Sequence, residues 1–212
     1  MAIDDLLDEH EQGERVRSWL RNNATGLFGG VALGLAVIFG WQWWQKQQAA
    51  QDEKTHLDYQ AAMEAAAGDD LKKAQAAVTA LAGSKRDIYA DLAELRLAKA
   101  QVDAGERDAA IATLRGIAPE PSLQPLVDRR LARLLIDAGK ADEALTLLAQ
   151  ASDSESLEVR GDALLASGKR DEAREAYAQA LTGLDVAAPQ RRLVELKLTD
   201  AGGTPPKTGE PT

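Results

Sequence analysis

The sequence predicts an all-α chain in which an N-terminal single transmembrane helix is followed by a solenoid of helical hairpins. Three observations predict it. Between Arg21 and Lys46 no residue carries a charge. Downstream, a motif of the form small-Gly-x-x-Asp-x-Ala recurs around Gly105, Gly139 and Gly168. Around each copy the apolar residues follow the helical period rather than the alternation of a strand.

The uncharged run "NNATGLFGGVALGLAVIFGWQWWQ" supplies about 24 residues, which as a helix reach about 36 Å, enough to cross a hydrocarbon core of about 30 Å. Leu27, Phe28, Val31, Leu33, Leu35, Val37, Ile38 and Phe39 cover its whole circumference, whereas the surface helix of a soluble domain keeps a polar stripe. A cleaved export signal needs a short basic head and small residues one and three positions before the cut. Here the head is 21 residues long and mostly acidic, and Gln47 and Gln48 stand where Ala49 and Ala50 would need small partners. The run therefore reads as an uncleaved signal-anchor. Trp41, Trp43 and Trp44 cluster at its far edge and Trp19 precedes the near one, as expected of rings that prefer the membrane interface. Arg15, Arg17 and Arg21 in front, against Lys46 and Lys54 behind, favour a cytoplasmic N-terminus. The acidic residues of the head (Asp4, Asp5, Asp8, Glu9, Glu11 and Glu14) count little in that rule. Gly26, Gly30 and Gly34 lie four apart on one face, a small-residue ridge suited to packing against another membrane helix.

Composition bounds the remainder. A chain of 212 residues leaves about 165 beyond the span, room for one domain with a core. Apolar residues make up 45% of the chain, a foldable composition. The net charge of -9 argues against nucleic acid, whose phosphates need a basic surface. The absence of cysteine excludes disulfides, thiolate metal sites and cysteine nucleophiles, and it fits an oxidising compartment.

The three motif copies read "DAGERDAAIATL" from Asp103, "DAGKADEALTLL" from Asp137 and "ASGKRDEAREAY" from Ala166, with glycines 34 and then 29 residues apart. A period of this size marks stacked supersecondary units, and 34 is the tetratricopeptide length. Each glycine can take the left-handed conformation that ends the first helix of a hairpin. Asp108, Asp142 and Asp171 fall at the start of the second helix, where a carboxylate can cap free N–H groups and complement the dipole. Ala110, Ala144 and Ala173, facing Ala98, Ala132 and Gly161, let the paired helices approach closely. The interfaces are then filled by Leu97, Ile111 and Leu114, by Leu131, Ile136, Leu145 and Leu148, and by Leu164, Leu165 and Tyr177. Arg160 and Arg174 stand where the other units are apolar, and the third unit is five residues short, which predicts a different packing angle.

No break separates the span from Gly68, so the membrane helix is expected to continue outward. "DDLKKAQAAVTALAG" from Asp69 would fold back on it as a degenerate first hairpin. Pro189 is expected to open a capping helix with a polar outer face. The domain reading is thus a cytoplasmic segment over 1–21, a transmembrane helix over 22–45, a periplasmic tetratricopeptide-repeat-like domain over 46–200 and a disordered tail over 201–212.

Catalysis finds little material in this chain. His10 and His56 are its histidines, one in the head and one on the juxtamembrane helix, and both read as solvated. No metal-ligand spacing, phosphate loop or nucleophile elbow appears, so no enzyme activity, metal, cofactor or small-molecule substrate is expected. A repeat stack instead offers a concave surface lined by its first helices. In this register Lys99, Arg129 and Arg133 would form a basic half of that groove beside an acidic half of Glu158 and Asp162; the alternative reading of the same five residues is that they are ordinary solvated charges.

With its acidic head, its anchor ending in "GWQWW", and the stretches "YADLAELRLAKAQVDAGE" and "VRGDALLASGKRDEAREAYAQAL", the chain resembles the YfgM-like proteins, ancillary subunits of the bacterial SecYEG translocon. The resemblance implies a single-pass bacterial inner-membrane protein with a cytoplasmic N-terminus and periplasmic repeats. It also implies partners: SecYEG and a membrane-anchored parvulin-like periplasmic chaperone (PpiD), with a role in handling newly exported proteins. It brings no catalytic residues and no residue-level binding motif. Two other readings of a tethered repeat domain stay open at this point: a scaffold for another periplasmic pathway, such as cytochrome c maturation or envelope division, and homo-oligomerisation through the anchor.

Overall fold

The computed structural model of the chain describes residues 2–68, 70–84 and 87–206. Among these residues every regular element is a helix. Contacts divide the chain into two compact units, Met1–Lys54 and Thr55–Thr212. The side chain of His10 and the tail from 207 onward lie outside the described residues.

In the first unit the backbone belongs to one helix, α1 (Ala2–Ala67), which has no break at Gly26, Gly30, Gly34 or Gly40. The stretch Gly13–Ala67 is long and apolar enough to cross a membrane, and its apolar window buries none of its surface within the chain. Phe28 and Leu33 are 76% and 70% exposed, a surface that only lipid or another helix makes favourable. Trp41 and Trp44 lie with ring centroids 5.3 Å apart at the end of this run.

The second unit opens with the last turns of α1. It continues through α2 (Leu71–Ser84), α3 (Ile88–Asp103), α4 (Arg107–Gly116), α5 (Gln124–Asp137), α6 (Ala141–Leu147), α7 (Ser154–Ala166), α8 (Arg170–Thr182) and α9 (Arg191–Asp200). Ala62 and Ala66 of α1 pack with Ala74, Val78 and Leu81 of α2 and with Ala93 and Leu97 of α3, the degenerate hairpin expected from the sequence. A larger cluster joins α3 to α7 through Leu95, Leu114, Val127, Leu131, Leu135 and Val159. A third gathers Leu164, Tyr177, Leu181, Val194 and Leu198 from α7, α8 and α9. Gln101, buried on α3, ties the degenerate hairpin to the first repeat: it donates to Gln75 Oε1 of α2 at 3.3 Å and accepts from Thr113 of α4 at 2.8 Å.

The three motif glycines end α3, α5 and α7 with φ of 81°, 73° and 76°. In each case the following N–H reaches back to the same kind of carbonyl: Glu106 to Gln101, Lys140 to Leu135, and Lys169 to Leu164, at 2.8–2.9 Å. This is the Schellman closure, open to glycine because it has no Cβ to clash at positive φ. Ala110, Ala144 and Ala173 behind these turns have no exposed surface. At Gly161 an added Cβ would come within 2.4 Å of the Tyr177 ring, so the small residue there makes room for an aromatic one.

The structure departs from the expectations at five places. Asp108, Asp142 and Asp171 make no capping bonds, because the turn is so tight that Glu106, Lys140 and Lys169 become the N-cap residues. The aspartates sit inside the first turn, where they complement the dipole only. Side-chain caps occur instead at Asp70, Asp87 and Asp153. Leu165, expected in the core, is 40% exposed. The missing five residues of the third unit come largely from the preceding second helix, since α6 has 7 residues against 10 in α4 and 13 in α8. Pro189 lies in a turn before α9 rather than in its first turn, and the face of α9 that carries Leu193 and Leu196 is half-exposed rather than polar.

The fifth departure concerns the chain beyond α9. Ala201 is buried, Gly202 has φ 88°, and Gly203 N–H reaches Leu198 O at 2.8 Å. The stretch "DAGG" from Asp200 is therefore a fourth copy of the same helix stop, 34 residues after Gly168, and α9 is the first helix of a fourth repeat. The ordered packing that begins the supposed tail follows from that cap: a Cβ on Gly203 would meet Leu198 and Arg174.

Candidate functional site

The arginines of α5 are placed by its amphipathic pattern. Val127, Leu131, Ala132 and Leu135 turn one face into the core, which leaves Arg129, Arg130 and Arg133 along the opposite edge. Across from them α7 presents Glu155 and Glu158. Together with Leu126 and Gln190 these residues line a cleft of about 350 Å³. Arg129 is largely buried and doubly paired: its guanidinium lies 3.0 Å from Asp153 Oδ1 and 2.6 Å from Glu155 Oε2. Burial pushes the Asp153 carboxyl up, but hydrogen bonds from Ser156 and the charge of Arg129 outweigh it and hold the group below its ordinary range. Arg130 and Arg133 are exposed, and neither has an ion-pair partner among the described residues.

Of the groove residues expected from the sequence, the structure brings Arg129, Arg133 and Glu158 to this cleft. Lys99 is on α3, exposed, and paired to Asp103 at 2.6 Å one turn away. Asp162 belongs elsewhere. Lys197 of α9 donates to Glu158 Oε1 and to Asp162 Oδ2, both at 2.7 Å, and Tyr177 donates its hydroxyl to Asp162 Oδ1 at 2.8 Å. The acidic half of the groove is thus spent inside the molecule. Glu158 shows the cleft only the edge of a carboxylate that is 7% exposed, because a buried carboxylate must be paired and Lys197 pairs it. Burial, followed by the hydrogen bond and charge of Asp162, raises the Tyr177 hydroxyl well above its ordinary value.

Lys197 was missed because it lies 39 residues from Glu158. The available signal was that it stands 34 residues after Ala163, at an otherwise uncharged repeat position. Arg130 was legible as the neighbour of Arg129 but was not singled out. In the first unit, Gly26, Gly30 and Gly34 each have open space where a Cβ would point.

The repeated left-handed stops and closed alanine seams agree with what a comparison of the sequence with family models finds: the tetratricopeptide repeat-like domain matches residues 17–203. The chain belongs to that family. This tetratricopeptide repeat-like chain is also 31% identical over 108 residues to a protein of Escherichia coli (strain K12) named as an ancillary SecYEG translocon subunit. The match covers 51% of the chain and 52% of the relative, so the chain spans about half the length of the curated relative it matches. No solved structure matches. Among the described residues of the tetratricopeptide repeat-like chain, no group of three or more histidine, aspartate or glutamate side chains is placed to hold a metal ion.

Proposed function

We propose that this chain is a membrane-anchored protein-interaction module that works beside the Sec translocon. In this reading its N-terminus is cytoplasmic, its repeats are periplasmic, and it assists the chaperone-mediated handling of newly exported proteins. The observation that carries the reading is the likeness to the ancillary SecYEG subunit, joined here to a repeat stack and a helix able to span a membrane. A repeat stack buries its core along one axis and leaves its first helices free for partners. We place the partner surface at the α5–α7 cleft around Arg129 and Arg133, and take Lys99 of α3 as its extension in the neighbouring repeat. The ridge of Gly26, Gly30 and Gly34 is the contact with a partner span.

The test is affinity purification of the full chain, tagged after Thr212, from detergent-solubilised inner membranes. SecYEG and a membrane-anchored parvulin-like chaperone are expected in the eluate, and Gly30→Ile should reduce their yield. Recovery of haem-ligation or division proteins instead, or of the chain alone, would sink the translocon reading.

A further inference from the structure

We infer that the outer face of α9 is a self-recognition surface, on which a second copy of this chain packs its own α9 antiparallel, about a two-fold axis through Leu196. This goes beyond the translocon reading and does not depend on it.

The repeat register shows what is unusual about α9. Nine and six residues before the stopping glycine, α3 carries Arg96 and Lys99, and α5 carries Arg130 and Arg133. These are charged side chains suited to water. In α7 the same positions hold Val159, which has no exposed surface, and Asp162, which Lys197 and Tyr177 engage. In α9 they hold Leu193 and Leu196, which are 50% and 54% exposed. Val194, Leu198 and Ala201 turn the other side of α9 into the core with α7 and α8, so the two leucines stand on its free side. Apolar side chains in water are unfavourable where the same fold elsewhere uses charge, and burial against a partner recovers that cost.

The pattern on that face selects the partner. With about 100° of turn per residue, Arg192, Leu193, Thr199 and Asp200 lie within about 60° of Leu196, and the set is self-complementary. In an antiparallel pair centred on Leu196, each Leu196 meets Leu196 of the other copy, each Leu193 meets Thr199, and each Arg192 meets Asp200. This is the mutual arrangement that a two-fold contact requires. Arg192 and Asp200 are separated by about 12 Å along one helix, so the ion pair forms only between copies. Thr199 bonds its hydroxyl to Glu195 O at 2.9 Å, which leaves its methyl for the leucine. Antiparallel packing also sets Arg192, in the first turn of α9, beside the C-terminal end of the other copy's helix, where the dipole favours a cation. A parallel pair would oppose Arg192 to Arg192 and Asp200 to Asp200. With 10 residues, α9 is about 15 Å long, so the contact is smaller than a standard interface of about 1,200–2,000 Å². The association is therefore weak in solution, and it gains where an anchored α1 raises the effective concentration of copies.

The chain has no cysteine, so a single introduced thiol reports on this contact. The full chain carrying Leu196→Cys, in inner-membrane vesicles treated with a copper phenanthroline oxidant, is expected to give a disulfide-linked dimer, because the two-fold axis brings that position onto itself. Leu165→Cys, 40% exposed on α7, should give at least fivefold less. Adding Arg192→Asp to Leu196→Cys sets like charges opposite each other and should lower the dimer yield at least threefold. Adding Asp200→Arg as well reverses both charges and should restore it. Both residues are exposed, so these variants should keep the parental melting temperature. No dimer from Leu196→Cys, an equal yield from Leu165→Cys, or a double charge reversal that fails to restore the yield overturns the proposal. So does a dimer that Gly30→Ile abolishes and the charge changes leave alone, because the association would then belong to the membrane span. Cross-linking of Leu196→Cys to other proteins and never to itself also overturns it, since the face would then serve a different partner.

Discussion

In the second hairpin α5 and α6 meet across Ala132 and Ala144, both without exposed surface, and α6 stops after 7 residues. In the third, Gly161 replaces the alanine, the Tyr177 ring fills the space, and α8 runs for 13 residues. The turns that close the two hairpins are the same, with Gly139 and Gly168 at nearly equal φ and with the same reach of the next N–H. One hairpin therefore gains its closeness from two small residues and the other from one absent side chain opposite a large one. The exchange conserves volume across the seam, which is what a close-packed interior requires. It also imports a hydroxyl into the core. That hydroxyl brings with it Asp162, which brings Lys197 and Glu158, so the seam of the third hairpin is also the attachment of α9.

The largest expected effect breaks the tight seam outright. Ala144→Arg forces a charge between two helices, and an unpaired buried charge costs several kcal/mol against a total stability of about 5–15 kcal/mol. Circular dichroism of the full chain in detergent should show the repeat domain's cooperative melt lost or moved far down. A parental melt would mean that the hairpin register described here is wrong.

A smaller effect separates the two seams. Gly161→Ala puts a Cβ against the Tyr177 ring, and overpacking of this kind costs about 1–3 kcal/mol. Tyr177→Leu in the same chain should recover part of the loss, because the two substitutions share one space. If the double variant melts at the sum of the two single losses, Gly161 is not there to admit the ring.

The smallest sharpens the polar half of the comparison. Tyr177→Phe keeps the ring and removes one hydrogen bond, worth about 0.5–1.5 kcal/mol. Its signature is in alkali. The native hydroxyl ionises above the ordinary value of 10.0, so the contribution is intact below that pH. It is lost as pH rises further, when the unfolded chain releases its proton first. The melting temperature of the parent should fall above about pH 10 more steeply than that of the Phe variant. Parallel slopes would show that the hydroxyl is no more buried than that of a surface tyrosine.

Much of this fold was readable because its signals are local. An uncharged run, a glycine that stops a helix and an alanine five residues later all act within a few turns of chain, and each was found at its place. The fourth stop at Gly202 was equally local, in "DAGG", but it was hidden by the Pro-rich sequence after it. The candidate site was readable by half. Arg129 and Arg133 share a helix edge, which spacing reveals; the withdrawal of Glu158 and Asp162 depends on a lysine from another repeat, which spacing does not reveal.

What the sequence determined by itself is what one helix or one turn can decide: the membrane-length apolar helix, the helical period, the left-handed stops and the small residues behind them. Only the tertiary structure decided which charges are spent and which remain. A carboxylate's partner is chosen by distance in space and by the cost of leaving it buried alone. Lys197 and Arg129 meet that need from residues 39 and 26 positions away, and so Arg130 and Arg133 are left facing outward.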